Sequence, residues 1–320
     1  MSNLLNTLTI ENAYGKTGVQ SVFLNPKEIV GAIIVPKGWK ADATYMGVNG
    51  ASFLTSLQAD TLKAIGSRIF PVFAFGGIED KSEAPKYQTF GYGSKRKSSD
   101  GIYTWSFPLM SGGVNLISEL RKFSNTDYDV LFVDRENVIL GTSTGVAGEM
   151  TGISTDYIEA MPWKAADGSN AVGCSIEFGM SLAATKQMNE DLVYVKCDFD
   201  VEKSVLGIIG VELAQAKAAI ATACYITAKT NENSIDLYDL FATELTAAGA
   251  WIMTKADGTA ATLTVTNDSV NKHFILTPSV SLTGKTVRVQ LQTPAALAAL
   301  NVGGAPENGL ESNIISVTFA

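Results

Sequence analysis

The sequence predicts a mainly β protein in two parts: an α+β first domain, sandwich- or barrel-forming with two short helices, and a second β-sandwich. Three observations carry this. Apolar residues recur in short segments that alternate with polar ones, most clearly Val287, Val289 and Leu291 within residues 285–292. Glycine is abundant, at 29 residues, and falls between those segments. Helical spacing of apolar residues occurs only briefly, with no run beyond about four turns. A chain of 320 residues exceeds one typical core, so two domains are expected. With 46% apolar and 18% charged residues, the composition is that of a globular protein.

In chain order, residues 1–25 are polar and weakly patterned and read as an arm. Residues 28–35 read as a buried strand stopped by Pro36, Lys37 and Gly38. A helix is expected from Ser52, with Phe53, Leu54, Leu57, Leu62 and Ile65 as its stripe and Gly66 as its end. Residues 69–75 read as a strand. Residues 76–100 read as a long polar loop containing Lys95, Arg96 and Lys97, a length usually tied to function. Tyr103, Trp105 and Phe107 share one face of a strand ended by Pro108. A second helix after Gly112 and Gly113 uses Leu116, Ile117, Leu120 and Phe123. Residues 128–133 and 137–140 form a hairpin around Asp134, Arg135 and Glu136, and further strands are expected at 172–178 and 192–198.

The helix-prone, alanine-rich residues 212–219 suggest a boundary, giving domains at 1–215 and 222–320. Beyond it Cys224, Ile226 and Ala228 alternate with polar partners. Asp236 is a candidate cap for a helix using Leu237, Leu240, Phe241 and Leu245, with Gly249 at its end. Asp257-Gly258 between residues 251–255 and 262–266 signals a hairpin. Strands at 273–276, 285–292 and 314–319 complete the spacing of a Greek-key sandwich.

The chemistry-bearing residues are sparse. His273 is the sole histidine, which removes the commonest general base from most of the chain; it reads as a surface or strand-edge residue. The run from Gly141 to Gly145 matches G-x-S-x-G around Ser143, but the following residues lack the helix that a nucleophile elbow requires. Cys174, Cys197 and Cys224 are odd in number and widely spaced, which suggests neither a disulfide framework nor a zinc site and fits manufacture in a reducing cytoplasm. Asp198, Asp200 and Glu202 alternate, so on a strand they would share one acidic face, able to meet a basic neighbour or line a lumen. Lys95, Arg96 and Lys97, preceded by Tyr87, Phe90 and Tyr92, are the matching candidate for contact with carboxylates of another copy. The net charge of −8 gives no long-range attraction for nucleic acid or anionic lipid. No catalytic, cofactor-binding or metal-binding residue is expected. Residues 1–15 have no basic region followed by an apolar core, and the longest apolar run, 29–35, is too short to cross a bilayer.

Phe90-Gly91-Tyr92-Gly93, residues 100–107 (DGIYTWSF), Leu120-Arg121-Lys122-Phe123 and residues 128–142 (YDVLFVDRENVILGT) resemble structural proteins of tailed bacteriophages. The similarity spans residues 20–210 and is closest to tail-tube proteins. It implies a subunit made in the host bacterial cytoplasm and built into the virion. There, copies would form rings, usually hexameric, stacked into a hollow tube with strands of each subunit in a continuous inner barrel. Long loops and N-terminal arms would join successive rings, and DNA would pass through the lumen without specific binding. The C-terminal third is similar to the immunoglobulin-like domains appended to phage tube and capsid proteins. A capsid, decoration or fibre protein is the nearest rival, ranked lower because no long spine helix is predicted. A carbohydrate-binding or adhesive sandwich is the rival of another class. An enzyme is not expected.

Overall fold

The computed structural model describes residues 28–110, 114–124, 127–162, 173–231, 233–302 and 309–320. The expected arm over 1–25, Gly112 and Gly113 lie outside them. The chain divides into two compact units, one holding the residues up to Val205 except Thr61–Lys63, the other holding Thr61–Lys63 and Leu206–Ala320. The structure is mainly β, as the alternation predicts.

The first unit runs β1 (Ile29–Pro36), β2 (Lys40–Ala41), α1 (Ala43–Met46), α2 (Phe53–Thr61), β3 (Phe70–Phe73), β4 (Glu79–Asp80), β5 (Lys86–Thr89), β6 (Lys95–Ser99) and β7 (Thr104–Pro108). It continues α3 (Val114–Leu120), β8 (Tyr128–Asp134), β9 (Val138–Ser143), β10 (Met150–Thr151), β11 (Ile153–Ala160), β12 (Ser175–Met180), α4 (Leu182–Asn189), β13 (Leu192–Lys196) and α5 (Val201–Ser204). β1 lies between β3 and β8, all antiparallel. β8 turns directly into β9, and β9 pairs in turn with β13. The turn is locked by the buried Asp134 carboxylate, which accepts from the amides of Glu136 (2.8 Å) and Val138 (2.9 Å), while Asn137 takes the left-handed conformation at φ 60°. β11 begins against β8 at Ile153 and Ser154 and pairs with β12 from Thr155 on, with a register shift between Thr155 and Tyr157; β12 leads through β7 to β4.

The apolar runs of β1 and β8 are continuous because both strands are covered on both faces. Ala32, Ile34, Val130 and Phe132 enter one core with Phe107, Ile158 and Phe178. Ile33, Val35, Leu131 and Val133 enter a second core with Phe53 and Leu57 of α2, Val195 of β13 and Val201 of α5. Each fully buried side chain of this kind is worth about 1.5–3 kcal/mol. α3 and the turn Arg121–Phe123 close the first core, where Phe123 meets Phe70 (centroids 4.8 Å apart) and Tyr128 (5.0 Å).

Several expectations for this unit need correction. The helix from Ser52 stops at Thr61, and Ile65 stands 60% exposed in a separate turn, Ile65–Ser67. The stop coincides with Asp60, whose buried carboxylate accepts from the Trp39 indole (2.8 Å) and the Tyr45 hydroxyl (2.9 Å) and whose carbonyl accepts from the Ile69 amide (3.2 Å). Residues 76–100 are not a loop: they hold β4 and the β5–β6 hairpin. β11 gives no strand signal in the sequence because its bulge breaks the two-residue alternation. α4 gives no helix signal in the sequence because only Ala184 on it is buried, which leaves no apolar stripe.

The second unit runs β14 (Ile209–Ile220), β15 (Ala223–Thr230), α6 (Leu237–Phe241), β16 (Trp251–Thr254), β17 (Leu263–Asp268), β18 (His273–Pro278), β19 (Thr286–Leu291), α7 (Pro294–Ala299), β20 (Leu310–Ser312) and β21 (Ile315–Thr318). One sheet has the order β17-β18-β15-β14-β20 and the other β16-β19-β21. Taking β14 to β19 as strands A to F and β21 as G, the sheets are D-E-B-A and C-F-G, the seven-strand immunoglobulin constant-type order. β20 adds a parallel pairing along β14. Trp251 on the third strand is buried, packs at a tilt against Phe274 of the facing sheet (centroids 5.5 Å apart) and donates its indole N–H to the Leu245 carbonyl (2.8 Å). Cys224 on β15 is a free thiol in the core of this unit.

Here too the sequence reading needs correction. Residues 212–219 are the middle of β14, not a helical boundary, and the compact units divide between Val205 and Leu206. Alanine is a good helix former, but propensity is a weak determinant and pairing with β15 overrides it. Asp257-Gly258 does make a tight turn, with the Lys255 amide donating to the Thr259 carbonyl (2.9 Å). Its flanks pair antiparallel only beside the turn, through the Thr254–Ala260 bridge and the Ala261 amide donating to the Met253 carbonyl (2.8 Å), and then part into different sheets as β16 and β17. Asp236 caps α6 through the Tyr238 amide (3.0 Å), but α6 ends at Phe241, so Leu240 is exposed and Leu245 lies in the turn Glu244–Thr246.

Candidate functional site

The most conspicuous surface feature of the first unit is the β5–β6 ribbon. Its register places Tyr87 opposite Lys97 and Thr89 opposite Lys95, on one face; Gln88 opposes Arg96 on the other. Every residue from Glu83 to Asp100 is exposed. The ribbon's turn is closed by the Phe90 amide donating to the Ser94 carbonyl (2.8 Å) and the Gly93 amide to the Phe90 carbonyl (3.2 Å). Between them Tyr92 sits at φ 64°, in the left-handed region, with its ring wholly in solvent. The Arg96 guanidinium lies 5.9 Å from the centroid of the Phe90 ring. Tyr87, Phe90 and Tyr92 thus present three aromatic rings to solvent beside a run of three cations.

The root of the ribbon is fixed to the body. The Lys81 and Glu83 amides donate to the carbonyls of Thr104 and Ile102, both at 2.9 Å, extending the pairing alongside β7. The Lys81 ammonium bonds Glu177 of β12 (2.9 Å), which also accepts from the Tyr157 hydroxyl of β11 (2.9 Å). The bond to Glu177 holds the Lys81 pKa above its ordinary value, and burial raises that of Tyr157, so Lys81 stays a cation and Tyr157 a neutral hydroxyl donor at neutral pH. Lys86 pairs with Glu83 (3.0 Å) and Lys97 with Asp100; as exposed pairs these add little stability. A cavity of about 230 Å³ opens at this root, lined by Glu83, Pro85, Lys97, Asp100, Tyr103 and Asn189 among others.

The other candidate residues are not brought together. Asp198, Asp200 and Glu202 share no strand face, because β13 ends at Lys196 and the chain turns into α5. Asp200 caps that helix: it accepts from the Lys203 amide (3.2 Å) and pairs with the Lys203 ammonium (2.7 Å), which holds its carboxyl below the usual range. Glu202 is exposed in the first turn and Asp198 on the bend before it. Among the described residues no cluster of three or more His, Cys, Asp or Glu side chains is placed to hold a metal.

Ser143 ends β9, and its hydroxyl accepts from the Gly145 amide (3.0 Å). Residues 144–149 turn straight into β10, so the G-x-S-x-G run joins two strands instead of a strand and a helix. His273 is not a surface or strand-edge residue: β18 is an inner strand, and the imidazole is buried edge-on to Tyr225 (5.4 Å), its Nε2 3.5 Å from Asp268 across the β17 pair. Burial raises the thiol pKa of Cys197 and pushes that of Cys224 up to about 12, which leaves both as inert packing groups. The ribbon's aromatic and basic content was legible in the sequence, whereas the cavity at its root was not, because it depends on α4. No protein-family model, curated protein or solved structure matches the chain.

Proposed function

We propose that the chain is a structural subunit of a tailed-phage virion, in which the first unit assembles into stacked rings of the tail tube and the immunoglobulin-like unit decorates the outside. One observation carries the reading: an anchored ribbon whose residues bury nothing in the single chain. An isolated two-stranded hairpin is marginal in water and leaves two rows of backbone groups unpaired, so a partner surface is the natural means of ordering it. The partner is another copy, since an acidic chain offers carboxylates to a basic, aromatic ribbon.

Sheet edges support the same reading. The bonds from the Ser143 amide to the Asp191 carbonyl (2.8 Å) and from the Cys197 amide to the Asn137 carbonyl (2.9 Å) set the β9–β13 ladder. Odd-numbered residues of β13 therefore face β9, and the backbone groups of Leu192, Tyr194 and Lys196 point away from it. Among the described residues no strand pairs with that edge. At the opposite edge, β3 carries Pro71, which lacks an N–H and blunts pairing. An open edge of this kind is covered when copies assemble. In such a tube DNA passes without specific binding, and the remaining partners are other virion proteins. No helix among the described residues is long and apolar enough to cross a membrane.

Quantitative mass spectrometry of purified virions tests this. The chain should appear in many copies per particle, in a whole-number ratio to the tail's other repeating components. Its absence from the particles would refute the assignment.

A further inference from the structure

We infer that the ribbon tip of one copy, with Tyr92 as its anchor, seats in the cavity at the ribbon root of the next copy. The inference rests on the self-assembly reading above and supplies the contact that would join copies. Tyr92 is wholly exposed, at a left-handed φ of 64° between Gly91 and Gly93, so the turn holds an aromatic ring out where it touches nothing of its own chain. A ring of this kind costs little side-chain entropy on binding, and buried tyrosines are common anchors of interfaces.

The root cavity fits it in size and chemistry. Its volume is about 230 Å³, and a cavity of about 150 Å³ already accepts benzene. Pro85 and the Tyr103 ring supply apolar wall, while Glu83, Asp100 and Asn189 supply acceptors for a phenol hydroxyl. Glu83 and Asp100 each face one lysine, Lys86 and Lys97, and a carboxylate can accept from more than one donor. The tip arrives flanked by Lys95 and by Arg96, whose plane is already steadied by Phe90, so its charge is opposite to that of the two carboxylates at the cavity.

The contact cannot form within one chain. β6 is five residues long, so at about 3.3 Å per residue the tip stands roughly 16 Å from the root. The paired strands cannot fold back on themselves while their ladder is intact. Tip and root are different surfaces, so copies can be joined head to tail, in which case the contact adds them in one direction. Stacking requires that geometry.

Two full-length variants test the contact. Tyr92→Ala removes the anchor at an exposed site, and Asn189→Trp fills the cavity from the last residue of α4. Thermal melts first establish that both are folded, with Thr185→Trp, another residue lining the cavity, as the substitute blocker if Asn189→Trp is not. In sedimentation velocity each variant alone should associate about 30-fold more weakly than the unmodified chain, or worse. Mixed together they should form a one-to-one heterodimer and nothing larger, because the mixture holds one intact tip and one intact root. Assembly that survives Tyr92→Ala, or a mixture of non-assembling variants that yields no heterodimer, overturns the tip-to-root contact while leaving self-assembly standing. An unmodified chain that stays monomeric at every concentration reached removes both.

Discussion

Replacing residues 86–99 with a two-glycine turn between Pro85 and Asp100 should abolish assembly and leave the fold unchanged. Lys86 and Ser99 face each other across the ribbon, so the cut ends lie about 5 Å apart, a gap that a short turn spans. The excised residues are all exposed. Their removal takes no apolar side chain from either core and leaves the Lys81–Glu177–Tyr157 set, which lies outside the cut, intact. Stability should change by no more than about 0.5 kcal/mol. Assembly should be lost altogether, because tip, cations and the ribbon's own edges go at once. Chemical denaturation and sedimentation velocity on the same preparation separate the two readouts. Normal assembly of the shortened chain would show that the ribbon has no part in it.

Phe132→Ala should have the opposite signature. Phe132 is 1% exposed on β8 and lies within ring contact of Trp105 (5.1 Å), Phe178 (5.5 Å) and Phe107 (5.7 Å). These residues come from β7 and β12, so one side chain of β8 ties distant strands of the large sheet together. Truncating a ring in such a place costs about 3–5 kcal/mol, transfer plus cavity. That is a large share of the roughly 5–15 kcal/mol by which a domain is stable. Urea unfolding should show a lower midpoint for the first unit, while the transition of the second unit, whose core contains none of these rings, stays in place. A loss below about 1 kcal/mol would mean that the rings do not pack as described.

The contrast between the two variants follows what the sequence discloses. Residues 28–35 and 128–133 are readable as strands because double-sided burial forces continuous apolar runs. The sandwich of the second unit is readable because Val287, Val289 and Leu291 point inward at strict two-residue spacing. Signals fail where packing does not write the pattern. The ribbon buries nothing, so its strands look like a polar loop. α4 buries only Ala184, and β11 changes register midway. The alanines of β14 favour helix locally but are committed to β15 by long-range pairing.

Site residues divide the same way. The Lys95–Lys97 run needs only adjacency, so its candidacy was visible at once. The acidic set of Asp198, Asp200 and Glu202 depended on an assumed strand, and Asp200 instead caps α5. His273 reads as polar and exposed beside Lys272, yet an inner strand of the sandwich encloses it. The root cavity joins residues 83–103 to Thr185 and Asn189, a proximity that no local pattern encodes.

Electron microscopy of the concentrated full-length protein tests most directly whether this chain is a self-assembling building block. Hollow rings that stack into tubes are the predicted result, with peripheral knobs that disappear when residues 206–320 are removed. Particles that remain single copies under every condition, with or without those residues, would contradict it.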